Sequence, residues 1–233
     1  MGNDVTIEAL PDKIRIDLIK TAIIVVDMQN AFVRKGGYFD LIGFDISMTE
    51  KIIRCCKEII SVGREKGVKV IYLQMGYNPD LSSSCGTDSP SRYKSRALSL
   101  ASEHPELKDR FHIFGTWGAD IIDELKPQQG DILIRKQKHD GFIGTNLDTI
   151  LRTNGIRYLL FIGTATNICV ESTLRHAFSL EYFPILISDA VSPMGPPLTQ
   201  DATIFNTQST FGWVTTSENL LSAIKGIQTS YPG

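Results

Sequence analysis

Residues 158–180 read YLLFIGTATNICVESTLRHAFSL. The opening run, YLLFIG (158–163), is apolar at successive positions, where a strand with one wet face would alternate. Continuity of this kind suits a strand covered on both faces. VESTLRHAFSL (170–180) has helical character, and the small, irregular GTATNI between them suits a tight turn. Strand, turn and helix in that order are the repeating piece of a parallel sheet.

The same signature recurs along the chain. TAIIVVD (21–27), VKVIYLQ (68–74), DILIRK (131–136), PILISD (184–189) and FGWVTT (211–216) are further short apolar runs. Helical patterns lie between them. Ser47 and Glu50 are spaced as a capping box ahead of a face of Ile52, Ile53, Cys56, Ile59 and Ile60 that ends at Gly67. Thr145 and Asp148 open a shorter helix with Leu147, Ile150 and Leu151 inward, stopped by Asn154 and Gly155. The expected fold is α/β: one domain over residues 1–233, a doubly wound sheet of about six mainly parallel strands with helices on both faces. Residues 1–20 read as an N-terminal extension. Residues 77–115, with NPDLSSSCGTDSPS and a weak helical pattern at 94–101, are too long for a plain connection and read as an insertion flanking the active site.

Composition narrows the function. A net charge of −2 supplies no basic field to draw in nucleic acid or an anionic membrane, so a small-molecule partner is favoured. The charged first twenty residues and the lack of a long apolar run predict a soluble, cytoplasmic protein. Cys55, Cys56, Cys85 and Cys169 form neither a disulfide-rich spacing nor a CxxC pair. His104, His112, His139 and His176 are scattered, without HxH or HExxH, so no metal and no cofactor is expected. No GxGxxG follows a strand and no GxxxxGK[ST] loop is present, which argues against a nucleotide module.

In a doubly wound sheet, ligands bind beyond the carboxyl ends of the strands. Asp27 closes the first run, Lys136 the third, and Cys169 follows the fourth. Singly, each has a plain reading: a carboxylate bonding turn amides, a solvated lysine, a packed thiol. Together at matching strand ends they suggest nucleophilic catalysis. A thiol of pKa about 8.5 needs a base or a stabilising field. The start of a helix and Lys136 are expected to bring Cys169 to half-ionisation near neutral pH, with Asp27 as proton acceptor. Backbone N–H groups of the GTATNI turn suit an oxyanion.

IVVDMQNAF, GDILIRK followed by GF, and GTATNICVESTLRHA resemble the motifs of the isochorismatase-like cysteine hydrolases, over about Thr21 to Val214. The resemblance implies a triad of Asp27, Lys136 and Cys169, a cis peptide at Thr164–Ala165, oxyanion donors at the N–H groups of Ala165 and Cys169, and a homodimer or homotetramer. Within the family, GGYFDLIGFD, SPSRYKSRAL, GTWGADIIDEL, LEYF and FGWV look like the ureidoacrylate amidohydrolase branch, with Met75 and Tyr77 where that branch carries an amide and an indole. The expected reaction is hydrolysis of a C–N bond in a small ureido or amide substrate, ureidoacrylate going to aminoacrylate and carbamate, with Asp27 as the base in both halves. Related amidohydrolases of biuret or triuret, an N-carbamoyl amino acid, maleamate or nicotinamide are the alternatives; a non-catalytic ligand-binding or scaffold protein is the distant one. Asn30, Phe32, Tyr38, Tyr77 and Trp117 are candidate pocket walls, and Arg92, Lys94 or Arg96 could meet a substrate carboxylate. Arg175 and His176 are expected to pack or pair.

Overall fold

Along β3 (Thr21–Val26) every side chain is buried, yet neighbours go to opposite sides. Ile23 and Val25 join one apolar cluster, Ala22, Ile24 and Val26 the other. β6 (Tyr158–Thr164) divides in the same way, Leu160 and Ile162 against Leu159 and Phe161. The period of two is present, but both faces are dry, so it does not show as alternating polarity.

The computed structural model describes residues 3–83 and 88–226. Cys85 lies outside them, as does the side chain of Arg92. Six strands form one sheet in the order β5-β4-β3-β6-β7-β8, with every neighbouring pair parallel. The remaining members are β4 (Lys69–Met75), β5 (Ile132–Lys136), β7 (Phe183–Ser192) and β8 (Trp213–Thr215). Each expected run became a strand, with ends shifted by a few residues. The chain winds outward from β3 through β4 to β5, returns to β6 beside β3, and winds the other way. The order therefore reverses between β3 and β6, where Val26 pairs with Gly163.

One face carries α3 (Thr49–Glu65) and α9 (Ser217–Lys225), whose buried side chains belong to the first cluster. The other carries α6 (Leu147–Thr153) and α7 (Glu171–Ser179), with Leu147, Leu151, Leu174 and Ala177 in the second. α8 (Leu198–Asn206) adds Ile204 to that side. Short α1 (Asn30–Val33) and α2 (Tyr38–Leu41) follow β3, and α4 (Pro90–Lys94) and α5 (Arg96–Glu103) lie in the long segment after β4. Among the described residues no helix is long and apolar enough to cross a membrane.

Two local expectations need correction. The Ser47–Glu50 capping box does not form: α3 starts after Met48 without a side-chain cap, Ser47 N–H donates to Asp45 Oδ1 at 2.8 Å, and Glu50 pairs with Arg34. The Asx turn at Asp45 takes Ser47 before it can serve the helix. Residues 1–20 also carry structure that the sequence reading did not assign: β1 (Asp4–Ile7) and β2 (Ile14–Asp17) form an antiparallel hairpin. Val5, Ile7, Ile14 and Ile16 enter the core while Asp4, Thr6 and Arg15 face out. Leu10, in its loop, exchanges both backbone hydrogen bonds with Val214 of β8, at 2.8 and 2.9 Å.

Gly163 fixes the crossing of β3 and β6. Its φ is +112°, and a Cβ there would stand 2.1 Å from the carbonyl oxygen of Val26. Backbone on both sides leaves no room to yield. Gly163→Ala is expected to destabilise the fold by upwards of about 2 kcal/mol, read as a lower urea midpoint, because strain and overlap add.

Candidate active site

Asp27 is the first residue past β3, and its backbone takes the left-handed conformation, φ +49°, that aspartate tolerates better than most. The turn is held by its N–H donating to Leu73 O at 3.0 Å and by Gln29 N–H donating to its own carbonyl at 2.7 Å. The bend carries the carboxylate over the end of β4. Oδ1 there accepts the N–H of Met75 at 3.0 Å, and Gln29, fully buried, shares that donor at 2.8 Å.

Lys136 ends β5 and reaches across β4 to the same carboxylate, Nζ to Oδ2 at 2.8 Å. It is wholly buried. The other two ammonium hydrogens have the carbonyls of Lys138 and His139, at 3.3 and 3.2 Å. All three donors of a buried cation are thereby matched.

Cys169 comes from the turn after β6. The Thr164–Ala165 peptide is cis, and residues Thr166–Val170 form a wide π-helical turn leading into α7. Ala165 O accepts the N–H groups of Ile168 and Val170, at 3.0 and 3.2 Å. The thiol interacts with both Asp27 and Lys136. Its sulfur also lies 3.5 Å from Nδ1 of His139. The loop after β5 is pinned to α7 by Gly141 N–H donating to Thr173 Oγ1, which in turn donates to Cys169 O, at 2.9 and 2.7 Å. Gly141 leaves room there for Leu73, whose Cδ1 would stand 2.5 Å from a Cβ.

Electrostatics modify the sequence reading. Burial is the largest influence on Cys169 and pushes the thiol up, against the pull of Lys136; Asp27 adds to the rise. Burial thus works against the half-ionised thiol expected from the sequence, because desolvation of the anion opposes the pull of the ammonium. Burial works against the Lys136 ammonium, but Asp27 and Cys169 overcome it and hold its pKa above the ordinary lysine value. Burial and then Lys136 push His139 down. Burial, then Lys136 and His139, take His112 down to about 3. Both imidazoles are neutral bases at neutral pH.

These groups open on a cavity of about 490 Å³. Asp27, Thr164, Ala165 and Cys169 form its floor, while Phe32, Tyr38 and Tyr77 are on its wall. Asn30 and Trp117 do not line it: Asn30 Nδ2 donates to Trp117 O at 2.8 Å, and the indole lies against Arg110. Of the basic trio, Lys94 lines the cavity and Arg96 does not. The 77–115 segment contributes Tyr77, Pro90, Ser91, Lys94, Ser95 and His112. Arg175 pairs with Glu171 and His176 with Asp140, away from the wall. Sequence reasoning missed His112 and His139. His139 had a usable signal, its place three residues past Lys136, whereas His112 is brought in only by the path of the insertion. Among the described residues no group of three or more His, Cys, Asp or Glu side chains could hold a metal ion.

With this geometry, the Isochorismatase domain family matches residues 21–219. The chain belongs to that family. Ureidoacrylate amidohydrolase RutB of Rhizobium rhizogenes is 45% identical over 223 residues, covering 96% of this chain and 91% of the relative. The protein of the same name from Agrobacterium fabrum is 46% identical over 219 residues, 94% and 96% of the two chains. Among solved structures, a cysteine hydrolase from Pseudomonas syringae pv. phaseolicola superposes with a TM-score of 0.73 at 27% identity, over 90% and 94% of the two chains. N-carbamoylsarcosine amidase from Thermoplasma acidophilum gives 0.63 at 28%, over 85% and 97%. The expected family and its parallel α/β fold both hold.

The raised thiol has a direct readout. Alkylation of the Cys169 peptide by iodoacetamide without substrate, followed by mass spectrometry, is expected to be slow at neutral pH and to keep rising above pH ~8.5, where an ordinary thiol is half-ionised. A plateau already reached at pH 7 would contradict it.

Proposed function

We propose that the protein is a cysteine-dependent amidohydrolase that cleaves a C–N bond of a small ureido compound, with ureidoacrylate as substrate and aminoacrylate and carbamate as products. The observation that carries the reading is the meeting of Asp27, Lys136 and Cys169 at the reversal of strand order, with Asp27 and Cys169 lining one cavity and Lys136 buried behind them. The names of the relatives at 45% and 46% identity support the choice of substrate.

The chemistry follows from the resting protonation states. Cys169 is neutral, so its proton passes to Asp27 as sulfur bonds to the ureido carbon. The N–H groups of Ala165 and Cys169 are assigned to the developing oxyanion. Collapse breaks the bond from carbon to the acrylate-bearing nitrogen, and Asp27 gives that nitrogen its proton. A carbamoyl thioester remains on Cys169, and water releases it as carbamate. Lys136 balances negative charge on the carboxylate and on sulfur. Tyr38, Phe32 and Tyr77 offer flat apolar surface to a planar conjugated substrate, and Lys94 is assigned to its carboxylate.

Cys169→Ala is expected to lower ureidoacrylate turnover by a factor on the order of 10⁴ or more while the protein still binds the substrate. Asp27→Asn is expected to be similarly inactive. Lys94→Ala is expected to raise KM about tenfold with kcat nearly unchanged, the effect of a lost ground-state charge contact. Steady-state kinetics with quenched-flow mass spectrometry checks all three; full turnover by Cys169→Ala would overturn the mechanism.

A further inference from the structure

We propose that His139 is the base of the second half-reaction, activating the water that releases the carbamoyl group from Cys169. The inference rests on the cysteine mechanism above and departs from the expectation that Asp27 is the base in both halves, because a second base stands beside the sulfur. Asp27 is 1% exposed, with Oδ1 bonded to Met75 N–H and Oδ2 to Lys136.

His139 is placed differently. The residue reaches solvent while its ring is partly desolvated at the cavity wall, and its Nδ1 is 3.5 Å from the sulfur that carries the acyl group. Its backbone is fixed by the hydrogen bond from Lys136 to its carbonyl, and the next residues are tied to α7 through Asp140–His176 and Gly141–Thr173. Water entering from solvent meets this nitrogen beside the thioester carbon. A lone pair on Nδ1 requires the ring proton on Nε2, the tautomer this role assigns.

The step balances. Nδ1 takes a proton from water as the oxygen bonds to the carbamoyl carbon; the C–S bond then breaks, and the imidazolium returns the proton from Nδ1 to sulfur. Carbamic acid leaves and loses its remaining proton to solvent as carbamate, and the neutral thiol and imidazole are restored. The groups facing His139 are Lys136, Lys138, Asp27, Cys169 and His112. The two ammonium groups disfavour the imidazolium while Asp27 and the departing thiolate favour it, so it forms transiently and is discharged at once.

The test separates the two half-reactions. His139→Phe and His139→Ala, with unchanged circular dichroism, are mixed with ureidoacrylate, quenched at times within the first turnover, and analysed by mass spectrometry of the Cys169 peptide. The expected result is first-turnover consumption of ureidoacrylate at the wild-type rate, kcat lower by on the order of 10²-fold, and carbamoyl-Cys169 accumulating as the main steady-state form. Added imidazole is expected to restore turnover in His139→Ala, which a merely structural role would not allow. An unchanged kcat, or a first turnover slowed as much as kcat, would overturn the assignment. Failure of the underlying mechanism is read separately: wild type would then never carry carbamoyl on Cys169 and Cys169→Ala would turn over, which would overturn both.

Discussion

The buried ion pair between Lys136 and Asp27 is the constraint on which the site depends. Bringing an ammonium and a carboxylate out of water costs several kcal/mol for each ion, and the return is secure only when every remaining hydrogen and lone pair finds a partner. Here the partners are main-chain groups at strand ends: the N–H of Met75 and the carbonyls of Lys138 and His139. The pair therefore specifies the backbone around it. The end of β4, the bend after β3 and the loop after β5 must all be in place for either charge to be tolerated.

That requirement explains why the thiol's surroundings are so closely built. Cys169 could be held anywhere at the start of α7, but the loop carrying His139 is also the loop that solvates Lys136. Thr173 joins the two sides, accepting from Gly141 and donating to the carbonyl of the cysteine itself. A side chain at 141 would crowd both Leu73 and Thr173, the residue that ties this loop to the cysteine. Acid, cation, sulfur and imidazole are parts of one packing arrangement.

Most of the sheet was legible because its strands are dry on both sides, and continuous apolar runs such as TAIIVV and YLLFI have few competing readings. The three candidate residues, Asp27, Lys136 and Cys169, were legible for a related reason: a charge or a thiol at or just past the end of such a run falls at the sheet's carboxyl edge. The hairpin at the amino end was not assigned, since strands of four residues, DVTI and IRID, give too short an alternation to stand out among charges. The capping box failed because spacing alone cannot say that Asp45 would take Ser47 first. Asn30 and Trp117 have suitable chemistry for a pocket wall, but the Asn30 amide is spent on the backbone carbonyl of Trp117 and the indole lies against Arg110. His112 reaches the cavity from a segment whose course no local pattern encodes, and the upward push on the Cys169 thiol was not legible because burial is a property of the assembled fold.

An open sheet has two lateral borders, and each exposes unpaired amides and carbonyls to which a foreign strand could attach. On the β8 side, the backbone of Leu10 already occupies the amide and carbonyl of Val214. The chain's own beginning thus acts as a stopper, denying that border to amyloid-like recruitment of a neighbour. Removing the segment that carries Leu10 would uncover those groups of Val214, and with them a route to aggregation.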